Sequence, residues 1–159
     1  MIFVTVGTHS QGFERLIKKM DEIASKINEE VIAQIGSTSY RPKNMIFFTF
    51  VGDEKRLVEL YKKARVIVTH GGVGTILTAL GYEKPLVVVP RLKKFNEVVD
   101  DHQLELAEVL GRNGRAIVVY DIRYLENALK KVPKLKYKEN IKSSLLISFL
   151  KDYVEELKK

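Results

Sequence analysis

Three short segments hold most of the residue types that could carry out chemistry in this chain. All three histidines, His9, His70 and His102, lie in or just beyond connections that follow predicted β-strands. In an open parallel sheet, ligands bind just outside the carboxyl ends of the strands, and an imidazole can exchange a proton near neutral pH. The placement predicts one shared site, although histidines are also common in loops that bind nothing.

The first segment, Gly7-Thr-His-Ser-Gln-Gly12, is a turn bracketed by glycines. Its glycines have the separation of a phosphate-binding P-loop, but Phe13 and Glu14 replace the Lys and Ser/Thr that would reach phosphate and Mg²⁺. This difference excludes a P-loop NTPase. The segment still predicts a turn that offers backbone N–H groups and a helix N-terminus to an anion. A tight turn without a ligand is the alternative.

The second segment, Thr69-His-Gly-Gly-Val-Gly-Thr75, joins a predicted strand to a helix of small residues. Three glycines in four positions let a ligand approach the backbone closely, and the following helix N-terminus favours a phosphate or diphosphate. The segment lacks the dinucleotide-binding fingerprint, because Leu77 stands where a third glycine is required.

The third segment follows the next strand. Arg91 stands at the strand end, where a guanidinium could clamp a phosphate, and Glu97 could accept hydrogen bonds from sugar hydroxyls. The Asp100-Asp101 pair could cap the next helix and so place His102 and Gln103 in its first turn.

Six short apolar runs alternate with helical patterns. Because these runs are nearly continuous in apolar character, they predict strands covered on both faces, as in a doubly wound parallel α/β sheet. The predicted strands are 2–6, 31–35, 46–50, 66–69, 86–89 and 116–119, and the predicted helices are 13–28, 53–64, 74–82, 101–111 and 122–131. Residues 36–45 show no helical period and predict a loop.

Length and composition favour one domain over residues 1–159. The chain has no cysteine, which excludes disulfides and Cys-ligated metal centres. Residues 130–159 contain nine lysines and four acidic residues, so they carry five of the seven net positive charges. Within them, an apolar stripe over 141–157 predicts an amphipathic helix, and 139–159 is expected to dock on this domain or on a partner.

The three segments together resemble a known family. The runs His70-Gly-Gly-Val-Gly-Thr-Ile-Leu, Pro85-Leu-Val-Val-Val-Pro-Arg91 and Asp100-Asp-His-Gln-Leu-Glu-Leu-Ala107 are similar to the carboxy-terminal, donor-binding domain of family 28 glycosyltransferases. The opening Phe3-Val-Thr-Val-Gly-Thr-His9 is most similar to small one-domain members that act in lipid-linked oligosaccharide and capsule or exopolysaccharide assembly.

The resemblance implies a Rossmann-like half of a GT-B glycosyltransferase that transfers a hexose, GlcNAc being favoured, from a UDP-sugar with inversion. It implies no cofactor and no obligatory metal. It assigns donor binding to Gly7, Thr8, Gly12, His70, Gly71, Gly72, Gly74, Thr75, Arg91, Glu97, Asp101, His102 and Gln103. Many relatives bind ribose through a glutamate where this chain has Thr78, so how ribose is held is open.

One-domain members obtain their acceptor-binding half from a membrane-anchored partner subunit. The resemblance therefore implies a partner, a lipid-linked sugar acceptor, and a cytoplasmic location peripheral to the membrane. The N-terminus has neither the basic region nor the cleavage site of a signal peptide, in line with that expectation. His9 is the candidate for the base that deprotonates the acceptor hydroxyl, and the partner is the alternative source of that base.

Three other functions are compatible with parts of the sequence. The chain could be a non-catalytic UDP-sugar-binding subunit that enhances another transferase. The basic tail could bind nucleic acid, but no nucleic-acid partner is expected, because the chain shows no aromatic stacking platform. The histidines could hold zinc, but glycine-rich turns suit phosphate better than a metal.

Overall fold

A computed structural model describes residues 1–99, 102–132 and residue 155 of this chain. The docking segment 139–159, the amphipathic pattern over 141–157 and the Asp100-Asp101 pair lie outside these residues, apart from Glu155. The strands are β1 (Ile2–Thr5), β2 (Val31–Gln34), β3 (Ile46–Phe48), β4 (Val66–Thr69), β5 (Leu86–Val88) and β6 (Ile117–Val118). The helices are α1 (Glu14–Ala24), α2 (Glu54–Lys63), α3 (Val73–Gly81), α4 (His102–Arg112) and α5 (Leu125–Lys131), with 3₁₀ turns at Lys93–Phe95 and Ile122–Tyr124.

The described strands form one parallel sheet in the order β3-β2-β1-β4-β5-β6. The chain runs outward from β1 to β3 on one side and from β4 to β6 on the other, so the order reverses between β1 and β4. Thr5 pairs in register with Thr69 at the carboxyl ends of these two strands. Ligands of such sheets bind at this reversal point. The predicted doubly wound α/β class is confirmed.

Each face of the sheet is covered by helices, which explains why its strands are apolar without strict alternation. One core joins α1 and α5 to side chains such as Val4 and Val68. The other joins α2, α3 and α4 to the alternate side chains, among them Phe3 and Ile67. Because these four strand residues are completely buried, the sheet is a rigid platform for the turns at its edge.

The element boundaries differ from the sequence prediction in one informative place. Helix α1 ends at Ala24, four residues before the predicted end at residue 28. The Ser25 hydroxyl donates a hydrogen bond of 2.7 Å to the Glu22 carbonyl oxygen. A serine hydroxyl that bonds to the backbone competes with the helical ladder, and an apolar pattern does not detect this effect.

The connection between β2 and β3 contains no helix, as predicted, and it is held by the buried carboxylate of Asp21. This carboxylate accepts hydrogen bonds from the backbone N–H of Asn44 at 2.7 Å, the Tyr40 hydroxyl at 2.7 Å and the backbone N–H of Lys43 at 3.0 Å. Burial alone would raise the pKa of Asp21, but these bonds outweigh it and leave the pKa below its ordinary value of 3.8.

Within the described residues, no helix has the length and apolar content needed to cross a bilayer.

Candidate functional site

Two glycine turns meet where the strand order reverses. Turn 1, defined as Gly7–Gly12, connects β1 to α1, and turn 2, defined as His70–Gly72, connects β4 to α3. Gly7 has a φ of +71° and Gly71 a φ of +95°, a backbone region that side chains with a Cβ rarely occupy. The tip of turn 1, including Thr8 and His9, is exposed. The two turns therefore present backbone at the edge where a ligand is expected.

The imidazole of His70 joins the two turns. It is 7% exposed and lies against both Gly7 and Gly72. A Cβ atom added at Gly7 would stand 2.7 Å from Cε1 of His70, and one added at Gly72 would collide with Nε2 of the same ring. A side chain at either position would therefore press on the His70 ring, which packs turn 1 against turn 2.

His70 is a neutral imidazole at physiological pH. Burial lowers its pKa to about 4, and the positive charge of Arg91 acts in the same direction, while a hydrogen bond with the Thr5 backbone opposes them. Nδ1 lies 3.2 Å from the Thr69 hydroxyl oxygen. These contacts indicate that His70 supports the structure of the site from inside the protein.

His9, by contrast, is exposed and lies in turn 1. Its Nδ1 accepts a hydrogen bond of 3.2 Å from the backbone N–H of Gln11. An accepting Nδ1 places the proton of the neutral ring on Nε2, so neither nitrogen has a free lone pair in this arrangement. To accept a proton, His9 must first release the Gln11 N–H.

The first turn of α4 completes the edge. A Cβ at Gly71 would meet the backbone oxygen of Gln103 at 3.4 Å, so α4 begins beside turn 2. The side-chain Oε1 of Gln103 is buried and has no hydrogen-bond partner within the described chain. His102 is exposed on the same turn. The predicted gathering of the three histidine-bearing segments at one edge is therefore observed.

The first turn of helix α3 also lies at this site, but the threonine hydroxyls on the helix bond within the protein. A Cβ at Gly74 would point into open space, so the first turn of α3 is accessible. The resemblance assigned Thr75 to donor binding, but its side chain is directed to Tyr61 inside the protein. The Thr78 hydroxyl bonds to the Gly74 carbonyl oxygen at 2.9 Å.

Arg91 does not clamp a phosphate as the sequence predicted, because its side chain is buried. Arg91 is completely buried, and its guanidinium donates to the backbone oxygens of Val6, Gln11, Gly12 and Glu97. Nε has no partner in the described chain, but it is also sealed from solvent. The guanidinium therefore holds protein backbone and is closed to a ligand.

Glu97 is likewise directed inward and not toward sugar hydroxyls. It is 7% exposed, and its carboxylate forms a two-pronged ion pair with Arg15 at 2.9 and 2.8 Å. It also accepts the backbone N–H of Leu92 at 2.9 Å. The Glu97 carboxylate therefore accepts its hydrogen bonds from groups inside the protein.

Sequence reasoning missed Arg15 and Thr38. The Thr38 hydroxyl accepts the backbone N–H of Phe13 at 3.0 Å, and a Cβ at Gly12 would stand 2.9 Å from the Cα of Thr38. This contact spans 25 residues along the chain, so no local motif indicates it.

Among the described residues, no group of three or more His, Asp or Glu side chains is placed to hold a metal ion. The zinc alternative therefore has no support in this part of the chain.

An open parallel sheet with glycine turns at its reversal point defines the Rossmann-like class of nucleotide-binding domains. The chain belongs to the family described as glycosyltransferase family 28 C-terminal domain, whose sequence profile matches residues 1–157.

Relatives of known name agree with this assignment. The chain is 37% identical over 123 residues to the human UDP-N-acetylglucosamine transferase subunit ALG13, covering 71% of this chain and 10% of that protein. It is 28% identical over 107 residues to the protein of the same name from Debaryomyces hansenii, covering 66% of this chain and 47% of that protein. The chain thus spans less than half the length of either relative.

A solved structure shares the fold. The glycosyltransferase of kitacinnamycin superposes with a TM-score of 0.65 at 21% identity, covering 84% of this chain and 36% of that one. This match confirms the Rossmann-like fold that the sequence resemblance implied for one half of a GT-B glycosyltransferase.

Proposed function

We propose that the chain is the donor-binding and catalytic subunit of a hexosyltransferase that uses a UDP-sugar, with UDP-GlcNAc as the favoured donor. Membership of the glycosyltransferase family supports the activity class. The choice of GlcNAc rests on the names of the human and Debaryomyces relatives, which are UDP-N-acetylglucosamine transferase subunits.

The observation that carries the proposal is the junction of the two glycine turns through His70. The junction brings the N-terminus of α3 and the backbone of turn 1 to the same place, with open space at Gly74. Backbone N–H groups at a helix N-terminus attract anions. The diphosphate of the donor therefore binds between the turns, and the same groups stabilise the departing UDP without a metal ion.

The sugar lies toward α4 in this proposal. The Oε1 of Gln103 is buried and has no partner within the described chain, so a rotation of this side chain toward α4's open edge would offer it as an acceptor to a sugar hydroxyl. The exposed His102 is next to it. His9 accepts the acceptor's proton after its Nδ1 releases the Gln11 N–H, and transfer proceeds with inversion.

The acceptor half comes from a second polypeptide. Both relatives are named as subunits, which supports the need for a partner. We propose that this partner is membrane-anchored, that the acceptor is lipid-linked, and that residues 139–159 recruit the chain to the partner at the cytoplasmic side of the membrane.

Calorimetric titration of the chain with UDP, UDP-GlcNAc, UDP-galactose and ADP, with and without EDTA, tests donor binding. The matched variants are Gly74→Glu and Gly81→Glu, which place the same side chain in open space at opposite ends of α3. We expect saturable, EDTA-insensitive binding of a UDP-sugar that is lost in Gly74→Glu and retained in Gly81→Glu. Equal affinity in both variants would contradict binding at this helix end.

A further inference from the structure

Arg91 connects both ends of turn 1. Its guanidinium donates to the Val6 oxygen at 3.2 Å, just before the turn, and to the Gln11 and Gly12 oxygens at 3.0 and 2.9 Å, at its end. A lysine could not make these contacts together, because its ammonium is a compact point charge without a planar fork.

These bonds also orient peptide groups. A trans peptide directs its C=O and N–H to opposite sides. The bond from Arg91 to the Gln11 oxygen therefore turns the Gly12 N–H away from the guanidinium. Arg91 thus sets the direction in which the end of turn 1 presents its donors.

A second layer of contacts fixes Arg91 itself. The Arg15–Glu97 ion pair ties α1 to the segment after β5, and Arg15 also donates to the Pro90 oxygen at 3.0 Å. The Phe13 ring lies against both arginines, with its centroid 4.7 Å from Cζ of Arg91 and 5.2 Å from Cζ of Arg15. Buried ion pairs with satisfied hydrogen bonds restrict the geometry of their surroundings.

We propose that Arg91 and the Arg15–Glu97 ion pair are positioning residues that hold turn 1 in the conformation that binds the donor. Their role is to order the backbone of Gly7–Gly12 and the placement of His9, without touching the ligand. The part of this inference that concerns the donor rests on the proposed function, whereas the ordering of turn 1 does not.

The test compares two substitutions of the same type on the full chain. Glu97→Gln removes the charge of the Arg15–Glu97 pair while preserving side-chain shape. Glu29→Gln does the same to the Arg65–Glu29 pair, which has two-pronged contacts of 2.6 and 2.7 Å and lies before β2, at the opposite end of the strands. Glu29 also pairs with the N-terminal ammonium at 3.0 Å. Arg91→Lys serves as a second, more severe variant that keeps the charge and loses the fork.

The first readout needs no ligand. Backbone ¹⁵N order parameters of Gly7–Gly12 are expected to fall from the rigid range near ~0.85 to below ~0.6 in Glu97→Gln and Arg91→Lys. In Glu29→Gln, and outside turn 1 in all variants, they are expected to stay unchanged. Unchanged order in turn 1, or loosening spread over the whole domain, would overturn the positioning role.

The second readout is UDP affinity measured by calorimetry. We expect at least a tenfold loss in Glu97→Gln and Arg91→Lys and no loss in Glu29→Gln. A loosened turn with unchanged UDP affinity overturns the link to the donor. Failure of the wild-type chain to bind UDP would instead contradict the proposed function, and the order parameters would still decide whether these residues hold turn 1. If Arg91→Lys does not fold, Glu97→Gln alone decides both points.

Discussion

The imidazole of His70 lies directly against Gly7, although 63 positions separate the two residues in the chain. A Cβ atom at Gly7 would stand 2.7 Å from the ring, closer than van der Waals contact allows. The same ring contacts Gly72 on its own turn, so one buried side chain sets the distance between the two turns that form the site.

Replacing Gly72 by alanine should therefore destabilise the protein through His70. Gly72 has a φ of −70°, so the backbone tolerates alanine and the cost arises from the collision with the ring. We expect a loss of about 1–3 kcal/mol in the free energy of unfolding, measured by urea denaturation.

A double-mutant cycle with His70→Ala identifies the cause. The double variant should lose less stability than the sum of the two single variants, because the colliding ring is gone. Gly74→Ala is the control on the same helix, and it should be neutral or stabilising by up to about 1 kcal/mol, since its Cβ meets open space. Strict additivity in the cycle would show that the ring is not responsible.

Stability should depend on pH through His70. Its pKa is about 4 in the folded protein and near 6.5 when unfolded. Between these values the unfolded state binds more protons, so the free energy of unfolding falls as the pH drops from 6.5 to 4, by up to about 3 kcal/mol. Denaturation of the wild type and His70→Gln at pH 7, 5.5 and 4.5 should show this slope in the wild type and a reduced slope in the variant. An imidazole that titrates near pH 6.5 by NMR would refute the assignment.

Asp21→Asn should weaken the link between α1 and the β2–β3 connection. Because the pKa of Asp21 is lowered in the folded state, its stabilisation is present above about pH 4 and is lost as the pH falls further. We expect a loss of about 1–3 kcal/mol at pH 7, since the amide cannot satisfy all the donors that face the carboxylate. The difference from wild type should shrink below pH 4.

The exposed Glu22 on the same helix provides the control for that change. It pairs with Lys19 and Lys26 at the surface, and such pairs contribute little. Glu22→Gln should leave unfolding at pH 7 nearly unchanged, and an effect as large as that of Asp21→Asn would indicate a general charge effect.

His9→Ala tests the proposed base in the complex reconstituted with its partner. Loss of a general base typically lowers turnover by about 10²–10⁴-fold. UDP affinity is measured alongside turnover, because the His9 ring also accepts the Gln11 N–H within turn 1. His102→Ala is the comparison variant, because this exposed histidine lies at the same edge of the sheet and has no proposed role in proton transfer. Turnover within about threefold of wild type would assign the base to the partner, and absence of turnover in the wild-type complex would favour a non-catalytic donor-binding subunit.

Removal of residues 139–159 tests the proposed docking segment. UDP binding and the thermal midpoint of the remaining domain should persist, and recruitment to membranes containing the partner should be lost in a sedimentation assay. A truncated chain that no longer unfolds cooperatively would show that the segment belongs to the folded core.

Much of the architecture followed from the sequence by itself. Runs such as residues 66–68 are apolar throughout because helices cover both faces of the sheet, and that pattern is visible without coordinates. Glycines and histidines after β1 and β4 marked the edge of the sheet that forms the site, since parallel strands all end on the same side.

The roles of individual polar side chains were decided by the tertiary structure. Arg91 and Glu97 stand at positions suited to a ligand, yet both turn inward, and Thr75 contacts Tyr61. The oxygens that Arg91 binds in turn 1 lie about 80 residues away in sequence. A buried charge takes whichever partners the fold brings to it. Residue type and spacing therefore determined where the site lies, and only the packing of distant segments decided which side chains face a ligand and which hold the backbone.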